Sequence, residues 1–388
     1  MPAATPLRDI TVVELGHSVA APYAGEILGD LGATVIKIEK RDGGDDARKW
    51  APPYWHGLAA IFQSLNRNKL SAVVDLRDAG ERELLTRLVV ERADVLIQNL
   101  RPGMVEELGL DAATLRGRNK RLIYCNIGAF GRGGPLSDRP GYDPLMQAFG
   151  GLMSVTGEAG QPPVRIGTSI IDMGAGMWSV IGILGALHQR TLTGEGAVVD
   201  TSLYETALSW MSYHAANYQA SGEVPRRHGS GTFGIVPYRG YATRDGHLVV
   251  GAGNDKLFRV LARTLGHPEW VDDPRFADNP ERVRNRDALD GMIEDVTRTR
   301  TSAEWQVLLE AAGVPSAPMQ NVDEVLAHPQ TQALGIVQPS PDGRLSLIGL
   351  PLSFDGERPP FRLPAPQLGE HTRVLDEPAP LTKTVSRR

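Results

Sequence analysis

The chain has 388 residues, with 41% hydrophobic and 22% charged residues and a formal net charge of −5, enough for two domains and a large buried core. The mild acidity lacks the basic excess of a nucleic-acid binder, and the single cysteine, Cys125, excludes an intrachain disulfide and fits a reducing, cytoplasmic compartment. The opening MPAATPLRDI carries no basic segment followed by an apolar core, so no signal peptide is expected.

In chain order, DITVVEL (9–15) reads as a strand, APYAGEILGDLGA (21–33) as a helix and TVIKIE (34–39) as a strand. After a polar loop come LSAVVDL (70–76), AGERELLTRLVVERA (79–93), DVLIQNL (94–100) and RLIYCNIGAF (121–130). Short apolar strands alternating with helices predict βαβ units and a parallel sheet. The expected fold class is α/β, with a Rossmann-like large domain over 1–223. Around 222–240 the chain turns rich in glycine, proline and basic residues, a linker and mobile loop. YATRDGHLVVGAG then predicts a hairpin around Arg-Asp-Gly, followed by helices at 255–266 and 302–313, giving a smaller α+β domain over 224–337. The proline-rich segment 338–388 is expected to return to the large domain.

Ligands of such sheets bind at the carboxyl ends of the strands. Glu39 stands where a ribose-binding acid would, but GHSVAAPYAG after the first strand has no G-x-G-x-x-G, which speaks against a nicotinamide oxidoreductase. Basic residues follow several strands: Lys40 and Arg41, Arg77, and Arg101. Together they suit a polyphosphate other than a dinucleotide, of which coenzyme A is the common one.

The most apolar segment, GTSIIDMGAGMWSVIGILGAL (167–187), carries one charge, Asp172. Its uninterrupted apolar part is short for a membrane span, and a buried helix starting at Asp172 is expected. Asp172 reads as an N-cap, as a nucleophile that needs no general base because its reference pKa is about 3.9, or as both. Burial raises that pKa and the helix N-terminus lowers it. The small residues Gly174, Ala175 and Gly176, following Met173, leave room for a thioester on one side of the first turn. No spacing suggests a metal site.

The runs GYDPLMQAFGGLMSVTGE and PPVRIGTSIIDMGAGMWSVIGILGALHQRTLTGEGAVVDTSLYETAL, with VVELGHSVAAPYAGEILGDLGATVIKIEK, NRNKLSAVVDL, ADVLIQNLRPGMVEELGL and LGEHT, resemble the family III CoA-transferases, a group that also contains the α-methylacyl-CoA racemases. The resemblance implies an interlocked homodimer, acyl-CoA and a carboxylic acid as substrates, and no tightly bound cofactor. It puts the nucleophile at Asp172, which would form an aspartyl anhydride and then an aspartyl-CoA thioester. It carries CoA contacts to Val19, Ala20, Lys40, Val74, Asp75, Leu76, Arg77, Asn99, Leu100, Arg101, Gly128, Ala129, Phe130 and Gly131. HGSGTFG (228–234), with Gly229, Gly231 and Gly234, falls at a glycine-rich segment that covers the active site. Glu107 replaces a basic CoA-binding residue of formyl-CoA transferase, and Gly128 and Phe130 replace a Lys and a Tyr, which speaks against oxalate or formate. Tyr142 stands at the racemase histidine and favours transfer over epimerisation. A 2-methylacyl-CoA epimerase and a noncatalytic CoA-binding protein remain as alternatives. His17 and His228 are read as loop residues or substrate contacts.

Overall fold

The computed structural model describes residues 5–376; the end of the 338–388 segment lies outside the described residues. The chain divides into two units, one of Met1–Gly150, Gly167–Met211 and Pro329–Arg388, the other of Gly151–Ile166 and Ser212–His328. These bounds differ from the expected breaks after 223 and 337, and the early stretch 151–166 joins the second unit. Hydrogen bonds explain that excursion: Gly229 N donates to Gly157 O at 2.9 Å and Arg227 Nη2 to Gln161 O at 2.8 Å.

The first unit contains β1 (Thr11–Leu15), α1 (Ala20–Asp30), β2 (Thr34–Glu39), β3 (Lys69–Val73), α2 (Ala79–Arg92), β4 (Val95–Gln98), β5 (Ile123–Gly128), α3 (Asp143–Phe149), α4 (Ile170–Thr193), β6 (Val198–Ser202) and α5 (Leu203–Trp210). The six strands form one parallel sheet in the order β3-β2-β1-β4-β5-β6. β-Branched residues fill its strands, and Val13, Ile36, Ile38 and Leu96 meet Leu85, Leu88 and Val89 of α2 in one core. Two charges inside those strands, Glu14 of β1 and Lys37 of β2, are paired in the ladder and fully buried, joined by Lys69 of β3.

α4 begins two residues before Asp172 and ends at Gly194, whose φ of 78° closes it in the left-handed region. Its most apolar window has a mean hydropathy of 1.7, enough by length and composition for a membrane span, yet half of that window is buried inside the chain. Gly176 lets α4 approach α1: a Cβ there would lie 2.8 Å from Ala20 O and 3.2 Å from Ala24 N. Neither backbone atom can move without breaking α1. Gly176→Val is therefore expected to cost about 1–3 kcal/mol through overpacking, read as a lower urea midpoint at unchanged m-value; an unchanged midpoint would refute this close approach.

The second unit has α6 (Ser212–Ser221), the expected hairpin β7 (Tyr238–Ala242) and β8 (His247–Gly251), then α7 (Asp255–Thr264), α8 (Arg286–Thr297), α9 (Ser302–Ala312) and β9 (Ser316–Pro318). The sheet order is β9-β8-β7, antiparallel throughout. Tyr241, Leu248, Phe258, Leu261, Ile293, Trp305 and Leu309 form its separate core. Back in the first unit, β10 (Val337–Pro339) pairs with β11 (Ser346–Ile348).

Candidate active site

The strand order reverses between β1 and β4, and a crevice opens at the carboxyl ends of strands where that happens. A cleft of about 920 Å³ lies there, lined by Leu15, Gly16 and His17 after β1, Lys40 after β2, Val74, Asp75, Leu76 and Arg77 after β3, and Leu100 after β4. Four loops of the sequence thus bring Lys40, Val74–Arg77 and Leu100 together. Asn99 stands behind the wall and braces it: its Oδ1 accepts from His17 N at 3.0 Å and its Nδ2 donates to His17 O at 2.9 Å.

The other expected contacts lie outside the cleft walls. Val19 and Ala20 open α1, Val19 O accepting from Tyr23 N. Arg101 is exposed and pairs with Glu107 at 3.0 Å. Of Gly128, Ala129, Phe130 and Gly131, Ala129 O accepts from Tyr204 N of α5, and Phe130 meets Phe149 edge-on at 5.3 Å between ring centres. Those four residues tie β5 to α3 and α5.

Charge at the cleft is partly pre-engaged. Lys40 pairs with Asp46 at 2.8 Å, both exposed, and Arg41 with Glu81. Exposed pairs are worth about 0–1 kcal/mol, so an arriving phosphate displaces such carboxylates at small cost. Arg77 makes no side-chain hydrogen bond or ion pair among the described residues. Glu39 is not free to hold a ribose: it is buried, clamped by Arg48 Nε at 2.8 Å and Nη2 at 2.7 Å, and accepts from Ser71 Oγ at 2.6 Å. His17 is held below its ordinary pKa, first by desolvation, and its Nδ1 lies 3.0 Å from Ser18 Oγ.

Asp172 occupies the third position of α4, not its N-cap. Ser169 holds the N-cap position without a side-chain bond, and the cap comes from Asp143 at the start of α3. Asp143 Oδ1 accepts from Ile171 N at 2.8 Å and from Asp172 N at 3.3 Å, while Oδ2 accepts from Gln147 Nε2 at 2.6 Å. Relieved of capping, the Asp172 carboxylate has no hydrogen-bond partner among the described residues. Burial first, and the Asp143 charge second, push its pKa up to about 7. The glycines after it serve helix packing. Gly174 faces Thr206 and Trp210 of α5, and Gly176 faces α1.

In the second unit the glycine-rich loop is stitched down. Gly229, at φ 60°, bonds Gly157; Gly231 N donates to His228 O, and Gly234 O accepts from Asn279 Nδ2.

A family model described as CoA-transferase family III matches residues 7–372. The chain belongs to CoA-transferase family III. Among relatives of this transferase, an acyl-CoA transferase of Fusarium pseudograminearum is 37% identical over 96% of this chain and 84% of its own. A succinate–glutarate CoA-transferase of Agrobacterium fabrum is 36% identical over 98% of each, and the human succinyl-CoA:glutarate CoA-transferase 34% over 96% of this chain and 86% of its own. A crystal structure of a CAIB/BAIF family protein from Brucella suis superposes with a TM-score of 0.86 at 38% identity, covering 96% of the transferase and 98% of that chain.

Asp143 is the site residue that sequence reasoning passed over. The signal was the Asp-Pro pair in GYDP, a helix-opening dipeptide. Its partner lies 29 residues on, in a different helix, and no local pattern announces that pairing.

Proposed function

We propose that this transferase moves CoA from an acyl-CoA donor to a free carboxylic acid through covalent intermediates on Asp172. The observation that carries the reading is a first-turn carboxylate with no hydrogen-bond partner among the described residues, whose helix is capped by another residue. Asp172 attacks the donor carbonyl carbon, the C–S bond breaks, and CoA thiolate leaves an aspartyl anhydride. Thiolate attacks the aspartyl carbonyl and expels the donor acid as its carboxylate, giving the aspartyl-CoA thioester. The acceptor carboxylate attacks that carbonyl and releases thiolate, forming a second anhydride. Thiolate then takes the acceptor acyl group and frees Asp172. No proton is consumed and no atom changes oxidation state, so the sequence of steps needs no redox cofactor. The cleft at the strand ends is the place for CoA, with Lys40 and Arg77 toward its phosphates, and the strand order of the first unit supports a Rossmann-like description.

The activities named for the human and Agrobacterium fabrum relatives support succinyl-CoA as donor and a dicarboxylic acid such as glutarate as acceptor. Met177, Trp178, Ile181 and Leu184 form an exposed apolar stripe on α4, which supports a homodimer, interlocked in our reading, with a second copy covering it. A cytoplasmic location is part of the same reading.

The test is peptide mass spectrometry after mixing the enzyme with succinyl-CoA and hydroxylamine, which traps activated carboxyls as hydroxamates. Label confined to Asp172 and absent from Asp172→Ala is the expected result. Measurable CoA binding with no label from any of a panel of acyl-CoAs would overturn the covalent route. Exchange of solvent deuterium into the α-carbon of a 2-methylacyl-CoA would then mark an epimerase.

A further inference from the structure

The second unit holds a cavity of its own, about 920 Å³, between α6, the 223–234 loop and the start of α8. Two guanidinium groups, Arg226 and Arg286, and two imidazoles, His214 and His228, share its wall with one carboxylate, Glu223. Arg286 Nη2 is fixed by Thr232 O at 2.8 Å and Phe233 O at 2.7 Å. Arg226 makes no side-chain hydrogen bond or ion pair among the described residues. The Nδ1 of His214 is buried without a hydrogen-bond partner among the described residues. His228 is held below its ordinary pKa by desolvation, then by Arg286, His214 and Arg226, with no carboxylate acting on it. The charged groups on the wall are therefore mostly cationic, with Asn217, Ser221 and Asn279 as its neutral polar side chains. Much of the remaining wall is carbon, including Val224, Phe233, Pro280 and Val283. An inorganic anion would answer the charge and leave the carbon surface wet. An aliphatic chain ending in a carboxylate answers both.

We propose that this cavity binds a free aliphatic carboxylic acid, with Arg226 and Arg286 receiving its carboxylate and Phe233 and Val283 its chain. The proposal deepens the transferase reading, on which it rests only for the acid's role as CoA acceptor.

Equilibrium dialysis of radiolabelled glutarate against the intact enzyme without CoA tests it, with Arg226→Gln and Asp172→Ala alongside. Wild type and Asp172→Ala are expected to bind alike, and Arg226→Gln about tenfold more weakly, the loss of one charge-assisted contact at an exposed edge. Saturating glutarate is expected to raise the His228 pKa, followed by the C2–H proton resonance, because a bound carboxylate opposes the surrounding cations. In turnover, Arg226→Gln raises KM for the acid. Undiminished binding by Arg226→Gln, loss of binding in Asp172→Ala, or equal competition by inorganic phosphate would each overturn the assignment. Glutarate binding that weakens in Arg226→Gln while Asp172 stays unlabelled supports the site and removes only the covalent route.

Discussion

Asp172→Asn is expected to abolish CoA transfer, by about 10⁴-fold or more, and at the same time to make the protein more stable at pH 8. The two effects share one cause. The carboxylate sits in a partly buried first turn, where burial and the neighbouring Asp143 hold its pKa near 7, whereas in the unfolded chain it titrates near 3.9. Between those values the folded protein binds the proton and the unfolded chain does not. Stability from this group is therefore full below about pH 4 and is lost as pH rises through about 7. Above that the ionised carboxylate is a standing cost, and the neutral amide removes it; the gain is on the order of 1–3 kcal/mol once the helix N-terminus has returned part of the desolvation. Thermal melts at pH 5 and 8 check this: the variant's advantage should be larger at pH 8. The wild-type kcat/KM for the acyl-CoA donor should rise with pH through about 7 and level off, because only the ionised form attacks. Asp143→Asn keeps an oxygen for the Ile171 and Asp172 amides but removes the neighbouring charge, so the acid limb should move to lower pH. Asp172→Asn with substantial activity, or a pH profile flat from 5 to 9, would remove Asp172 from the chemistry.

The sheet was readable in the sequence because its strands are short β-branched runs separated by helices of ordinary length, and the hairpin because Arg-Asp-Gly sits between two such runs. The cleft was readable as a consequence: once the strands are placed, Lys40, Arg77 and Leu100 fall at one edge. What local pattern cannot show is which distant group meets an end of an element. Asp172 at the head of an apolar run looks like a cap, and only the approach of Asp143 from α3 shows that the cap is supplied from elsewhere. The glycines beside Asp172 look like space for a ligand, and local pattern does not show that two of them also admit close neighbours, Trp210 at Gly174 and the α1 backbone at Gly176. Phe130, expected at CoA, packs against the rings of Phe149 and Tyr204, partners that no local pattern announces. Glu39 has the position of a ribose acid but is consumed by Arg48, a residue of the loop that follows.

The charges within the strands were the least legible feature, and they carry the second large effect. Glu14→Gln is expected to destabilise the protein by about 3–5 kcal/mol, the usual cost of stranding a buried charge. Glu14 accepts from Lys37 at 2.7 Å and is ion-paired with Lys69 at 2.8 Å, all three side chains being fully buried. Lys37 keeps Asp45 at 2.8 Å after the change, whereas Lys69 keeps only Pro22 O and Asn66 Oδ1 and loses its carboxylate. Burial already holds the Lys69 pKa below its ordinary value, and the amide lowers it further. A lysine with a depressed folded pKa is protonated in the unfolded chain and neutral in the folded one, so stability rises with pH across that interval. The deficit of Glu14→Gln should therefore narrow between pH 7 and 9 in urea titrations. Glu14→Gln combined with Lys69→Met should recover much of the loss, since both charges then leave together. Equal midpoints for wild type and Glu14→Gln would show that the cluster is not a buried ion pair in solution. The same cluster braces the ligand cleft: Lys37 Nζ donates to Gly16 O at 3.0 Å, and Asp45 Oδ1 accepts from Ser18 N at 3.0 Å, fixing the loop after β1 from beneath. At temperatures where Glu14→Gln remains folded, its KM for acyl-CoA should accordingly rise while labelling of Asp172 at saturating donor stays near the wild-type rate, because the change loosens the wall that holds CoA and leaves the nucleophile and its cap in place.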